Sequence, residues 1–422
     1  MFPEIKIPLK FILWLTLAGT ILLLLVGPFL PTLTGFLAIQ LHPSLLITDY
    51  LAVGGIHATL LNAWLVTMVT IIILYLIKAR FSGVSLAAVI TIFGFAFFGK
   101  NLINILPVWA GFYLFTLMKK TSLQQYTGTF LFASGIAPVT SFIMFGIPSL
   151  AWYVSIPLGL LSGIFAGWLT PMVVSIVGKF HQGYNLYNTG FGIGFIAMIF
   201  TAILRGLAVD VSVATTISFD FHRFFFWSTL VVSLALIGVA FLLHRQVYRP
   251  WLRLLQSPGN LPSDYYKEFG LATTLFNMGT IGLFSLLLVL TLNFRLSGPM
   301  IAGIYTFMGF GSYGKHIRNA TPVMVGLMLA SFIPGYSLVN LGPSIALFFV
   351  TALAPVSGKF GITYGLIAGG LHLLVAPQAL ALQGGFDLYN NGFTAGLVAG
   401  VVVVIAQNIQ LPVLWKRRSK FN

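Results

Sequence analysis

Two lysines stand in the same seven-residue frame. GFAFFGK ends at Lys100 and GFGSYGK ends at Lys315, and both fill the first seven positions of a phosphate-binding loop. The eighth position of such a loop is Ser or Thr, whose hydroxyl holds Mg²⁺. Here it is Asn101 in one copy and His316 in the other, and no strand signal precedes either. Neither copy is therefore read as a nucleotide site, and the glycines fit close helix contact or a helix break instead. Each lysine is followed four residues on by an asparagine (Asn104, Asn319), and each asparagine three residues on by a proline (Pro107, Pro322). One helical turn separates Lys from Asn, so both can face one side, while the proline frees a backbone carbonyl. A cation, an amide and a carbonyl at one helix break could hold an anionic or strongly polar solute near the midplane of a membrane. A lysine at the bilayer centre costs about 3 kcal/mol on insertion scales, so the competing reading has each side chain snorkel to the headgroups. His316 and Arg318 belong to the second copy only, which would make such a site asymmetric.

A second frame pairs GYNLYNTGFGIG, from Gly183, with GFDLYNNGFTAG, from Gly385. Asn185, Tyr187 and Asn188 in the first answer to Asp387, Tyr389 and Asn390 in the second. Asn and Gly tolerate left-handed backbone, so an unwound turn within the membrane could offer amides and carbonyls to a polar solute or a cation. Equally, the Asn side chains could only cap helix ends. Asp387 is the one acid expected inside a span, and proton or Na⁺ coupling through a carboxylate would rest on it. His181, replaced by Gln383 in the second copy, reads as interfacial, and Asp49 and Asp264 read as helix caps at opposite membrane faces. HExxH, GxSxG and paired-carboxylate clusters are absent, and Gly190, Gly192 and Gly194 lack the dinucleotide-binding spacing. With no cysteine there is no disulfide framework, thiolate metal site or thiol nucleophile. No catalytic residue, cofactor or metal is expected.

Lipid is the solvent in which such residues must be positioned. Of the 422 residues 58% are hydrophobic and 7% charged, where a soluble domain carries roughly a quarter charged. Helices alone satisfy their own backbone in hydrocarbon, and the apolar runs 51–77, 224–243 and 271–292 each approach the roughly 20 residues that cross a bilayer core. The first run, from Phe11 to about Leu37, outlasts the roughly 7–15 residues of a signal-peptide core and reads as a transmembrane helix. The net charge of +15 is scattered at helix ends, which fits membrane topology and anionic lipid rather than nucleic acid.

The chain repeats itself. Residues 49–113 align without a gap on 264–328, an offset of 215 that matches Asp49, Asn62 and Arg80 with Asp264, Asn277 and Arg295. The second frame aligns at an offset of 202, and Ala137-Pro138-Val139 and Ala354-Pro355-Val356 mark the ground between. Basic residues give the direction of each crossing. Lys6 and Lys10 hold the N-terminus inside, and the first span exits near Leu41. Residues 51–77 return to Lys78 and Arg80. The segments 86–98 and 102–118 go out and back to Lys119 and Lys120, as 127–145 and 156–177 do to Lys179. Residues 190–204 leave again, and 224–243 re-enter at the basic loop from His244 to Arg253. Asp49 thus starts one copy outside, Asp264 starts the other inside, and Lys416, Arg417, Arg418 and Lys420 end inside. The expected fold is an all-α integral membrane protein of two inverted-topology repeats with a pseudo-two-fold axis in the membrane plane. It has roughly 12–14 membrane segments, some of them broken or re-entrant. Its parts are an N-terminal helix (1–44), repeat 1 (45–208), a linker helix with a basic cytoplasmic loop (209–259), repeat 2 (260–411) and a basic tail (412–422).

FGFAFFGKNLINILP together with HQGYNLYNTGF resembles an uncharacterised family of prokaryotic multi-pass membrane proteins, known only as a domain of unknown function. That resemblance covers nearly the whole chain and implies a membrane location. A more distant similarity is to the urea-transporter-like fold, whose inverted halves each carry an Asn-Pro-x-x-Gly helix and a Tyr-Asn-Gly segment. Here Asn104 and Pro107 are two residues apart, Tyr187-Asn188-Thr189-Gly190 has one residue more, and the lysines have no counterpart.

These readings converge on a channel or secondary transporter for a small polar or anionic solute, bound where the repeats meet. Lys100 and Lys315 would supply charge and Asn104, Asn319, Asn188 and Asn390 hydrogen bonds. Tyr187 and Tyr389 would line the path, with Asn185, His316 and Asp387 beside it. The alternatives are a membrane enzyme on a lipid-type substrate, with His181, Asp387 or Lys315 as acid–base group, and a scaffold that moves nothing. The expected location is the plasma membrane with both termini cytoplasmic. Lipids, the solute and further copies of the chain are the expected partners.

Overall fold

The structure is a computed structural model that describes residues 9–212 and 215–409. Lys6 and the basic cluster 416–420, on which the inside placement of the termini rested, lie outside the described residues. Ten helices among those described are long and apolar enough to cross a membrane, and four apolar ones are shorter. The protein is an all-α integral membrane protein.

Among the described residues eighteen α-helices fall into two series of nine. The first is α1 (Leu9–Val26), α2 (Phe29–Gln40), α3 (Tyr50–Leu76), α4 (Gly83–Phe95), α5 (Leu102–Met118), α6 (Thr127–Ala133), α7 (Pro138–Phe145), α8 (Trp152–Val177) and α9 (Asn188–Gly206). The second is α10 (His222–Leu243), α11 (Tyr248–Leu254), α12 (Tyr265–Thr291), α13 (Gly298–Gly309), α14 (Ile317–Ala330), α15 (Leu341–Phe349), α16 (Ala354–Phe360), α17 (Ile362–Gln383) and α18 (Asn390–Asn408). α10 and α11 pack on α12 as α1 and α2 pack on α3. The Gln40 amide donates to Asn62 Oδ1 at 3.0 Å and the Trp251 indole to Asn277 Oδ1 at 3.2 Å, on counterpart asparagines. The stretch read as a linker thus opens the second copy. The first apolar run is a single crossing bent at Pro28: Gly19 lies on Trp64, Gly27 on His57 and Gly35 on the Gly54 carbonyl, so α1 and α2 descend together along α3.

The segments 86–98 and 102–118 form a hairpin of two short helices. α4 has 13 residues, about 20 Å at 1.5 Å each. After α5 the chain is back where α4 began, for the Gln124 amide donates to the Lys78 carbonyl at 2.6 Å. The counterpart hairpin is α13–α14. Gly99 (φ 82°) and Gly314 (φ 91°) supply the left-handed residue each tip needs.

The hairpins lie antiparallel, with Gly94 against Ala302 and Gly309 against Ala87. Asp49 Oδ1 accepts from Leu51 N–H and Oδ2 from Gly298 N–H at 3.0 Å; Asp264 Oδ1 accepts from Lys267 N–H and from Gly83 N–H at 3.0 Å. Each aspartate therefore serves one helix N-terminus in each half, where a negative charge is favoured. Asp49 begins α3 and meets the residue that follows α12, while Asp264 begins α12 and meets the one that follows α3. α3 and α12 therefore run in opposite directions.

Candidate functional site

Each hairpin tip is held by an asparagine from the neighbouring long helix. The Asn62 amide donates to the Ala96 and Lys100 carbonyls at 2.8 and 2.9 Å, and the Asn277 amide to those of Gly311 and Lys315, both at 2.8 Å. These bonds satisfy carbonyls that the helix break leaves open. Asn104 closes a capping box with Asn101, and Asn319 closes one with His316. Their amides return to the Gly99 and Gly314 carbonyls, both at 2.9 Å. Asn104, Asn319 and His316 thus cap the tips.

The lysines turn the other way, into the molecule. Both are fully buried, so neither snorkels. Lys100 Nζ donates to Ser134 Oγ at 2.7 Å and to the Tyr389 hydroxyl; Lys315 Nζ donates to Thr351 Oγ1 at 2.8 Å and to the Tyr187 hydroxyl. Each amine is met by a hydroxyl of its own half and by the tyrosine of the other half. Among the described residues the only ion pair is Lys267 with Asp264, at 3.4 Å, so neither lysine has a carboxylate beside it.

The tyrosines stand on unwound segments before α9 and α18. Asn185 Oδ1 accepts from Tyr187 N–H at 2.9 Å, as Asp387 Oδ1 accepts from Tyr389 N–H at 2.8 Å. The Asn185 amide also donates to the Gly392 carbonyl, and the Gln383 amide to Asp387 Oδ2. Asn185 and Asp387 are therefore turn-formers. His181, in the connection after α8, accepts from Asn185 N–H at 3.3 Å and meets Asn188 Oδ1 at 2.8 Å. Burial pushes this imidazole below its ordinary pKa, and the neutral ring braces the turn with both nitrogens.

Six aromatic rings close a belt at the centre. In order they are Phe95, Phe349, Tyr187, Phe310, Phe132 and Tyr389, with successive centroids 5.6, 6.4, 4.8, 5.6, 6.1 and 4.7 Å apart. Phe95 and Phe310, Phe132 and Phe349, and Tyr187 and Tyr389 are counterparts, so the belt carries the pseudo-two-fold of the chain. Lys100 Nζ lies 4.6 Å from the Tyr389 centroid, and Lys315 Nζ lies 4.1 Å from that of Tyr187, within cation–π range.

All six rings line a cavity of about 580 Å³ whose mouth carries Arg80, Gln124 and Lys267. A second cavity, of about 130 Å³, approaches the belt from the other direction. Leu46, Phe98, Pro299, Ile345 and Ala346 line it, and their counterparts Leu261, Tyr313, Val84, Gly128 and Thr129 line the large one. Phe349, Leu388 and Asn391 border both. The two cavities are thus one site written twice, wide in one half and narrow in the other. Asn188 lines the large one and Asn390 the small one.

The lysines, the tyrosines and Asn188 are sequence-read residues brought to this centre. Phe95, Phe310, Phe132, Phe349, Ser134, Thr351, Thr91 and Thr306 were not singled out. The available signal was identity between the halves at apolar and hydroxyl positions, which chance resemblance of hydrophobic stretches obscures.

No curated protein and no solved structure matches the chain. The family described as Protein of unknown function (DUF1576) matches residues 31–206 and 243–408, one segment in each half.

Proposed function

We propose, for a chain that belongs to the DUF1576 family of proteins of unknown function, that it is a secondary transporter carrying a small polar or anionic solute between two inverted repeats. The observation that carries this reading is the pair of half-related cavities, about 580 and 130 Å³, that share Phe349, Leu388 and Asn391. If the halves exchanged conformations, the narrow cavity would open and the wide one close, as alternating access requires. A channel would need both open at once. Inversion is supported by the opposite directions of α3 and α12 and by two hairpins that point past each other. Lys78, Arg80, Lys119 and Lys120 gather where the large cavity opens, which under the positive-inside rule makes that face cytoplasmic in the plasma membrane. Arg80 and Lys267, in the lining of a large cavity that holds no Asp or Glu, support an anion over a cation as cargo.

The test is thermal unfolding of the purified protein against small anions, amides, polyols and nucleotides, followed by flux of any ligand in proteoliposomes. A solute that binds the native state raises its melting temperature, and the Lys100→Met/Lys315→Met double variant is expected to lose that shift. An undiminished shift in the double variant, or flux that never saturates with concentration, would count against the reading.

A further inference from the structure

We infer that the solute is an organic anion with a flat apolar body, of the kind an aromatic carboxylate presents. This deepens the transport reading and rests on it. The large cavity divides into two chemistries along its depth. Arg80 and Lys267 stand at the mouth, and no Asp or Glu lines any part of it. Lys267 is paired with Asp264, which leaves Arg80 as the charge that faces an incoming solute.

The floor is the aromatic belt. Lys100 and Lys315 do not line the cavity; their amines donate to the Tyr389 and Tyr187 hydroxyls. An aromatic cage for a cation needs ring faces free to receive it; here the Tyr389 and Tyr187 rings already lie against the resident Lys100 and Lys315 amines. A wholly hydrophilic anion would leave the rings uncovered, whereas a flat apolar body stacks on them at 4.5–7 Å between centroids.

The polar end of the solute also has partners waiting. Thr91 and Thr306 are counterparts, 1% and 2% exposed, and their hydroxyls have no hydrogen-bond partner although both line the cavity. Burying such groups unpaired is costly, and a bound carboxylate accepts from both hydroxyls. About 580 Å³ lies within the usual range for a small organic ligand.

The probes are benzoate, acetate, benzyl alcohol and benzylammonium, tested on the full chain in detergent by thermal unfolding and by equilibrium binding of radiolabelled benzoate. Benzoate is expected to bind about tenfold or more tighter than acetate, the difference a buried phenyl ring supplies, and tighter than the neutral or cationic ring. Phe310→Leu should weaken benzoate and leave acetate unchanged. Thr91→Val/Thr306→Val should weaken both carboxylates, and unliganded melting curves verify that each variant folds. Equal affinity for benzoate and acetate, or preference for benzylammonium, overturns the inference. Failure of all four probes while an amide or polyol binds removes this substrate class and leaves the transport reading standing. Failure of every solute in either set, with no flux, removes both.

Discussion

At the scale of single residues, the buried lysine amines and the capping amides separate cleanly. Lys100 and Lys315 are spaced four residues from Asn104 and Asn319, which on a continuous helix puts them on one face. The helix is not continuous. Asn101 and His316 are the N-caps of α5 and α14, so each lysine precedes the first turn and points into the other half while the asparagine folds back on its own tip. The motif was therefore legible as a frame, but the division of labour inside it depends on a break that spacing alone does not locate. Two outcomes follow. Asn104→Ala removes a cap and is expected to cost about 1 kcal/mol of stability, seen as a lower melting temperature with unchanged solute affinity. Lys315→Met should keep the fold, because an apolar side chain of similar volume fills the place of a buried amine that has no ion-pair partner. Tyr187→Phe, which strips an acceptor from that amine, should destabilise by about 1 kcal/mol.

Elements were legible by length and composition. The bounds 102–118 and 127–145 match helical segments of the structure, but the second is broken midway by a short 3₁₀ turn at Ser134–Ile136. That break places the Ser134 hydroxyl under Lys100, and nothing in the apolar pattern announces it. Close helix approach is set by glycines at matching positions. A Cβ on Gly111 would lie 1.8 Å from the Ile164 carbonyl oxygen, and one on Gly326 would lie 2.1 Å from that of Leu366. These contacts seat α5 on α8 and α14 on α17, so the hairpins are fixed to the long helices backbone to backbone. Gly111→Val and Gly326→Val are expected to cost about 1–3 kcal/mol or more. Gly238→Ala, at a site with nothing within 4 Å, should leave the melting temperature unchanged or raise it.

For the whole molecule, the cysteine-free sequence allows the two cavities to be compared directly. Thr129 lines the wide one and Ala346, its counterpart, the narrow one. A thiol at Thr129→Cys should react quickly with a polar reagent and one at Ala346→Cys slowly. A transported solute should slow the first and hasten the second. Equal rates that ignore solute would contradict exchange between the halves. The duplication was legible throughout, yet its true extent was not, because α1 and α2 resemble α10 and α11 only in what they pack against.

The reciprocal contacts have a consequence for each half. Each aspartate caps a helix of the other half, and each lysine relies on the other half's tyrosine. Either half alone would expose a bare helix end and bury an amine with one partner missing. A second copy inserted upside down would repair both defects at once. The chain thus has the form of two copies of one unit, each completing the other. Co-expressing residues 1–212 and 215–422 as separate chains should rebuild the protein, where neither half accumulates by itself.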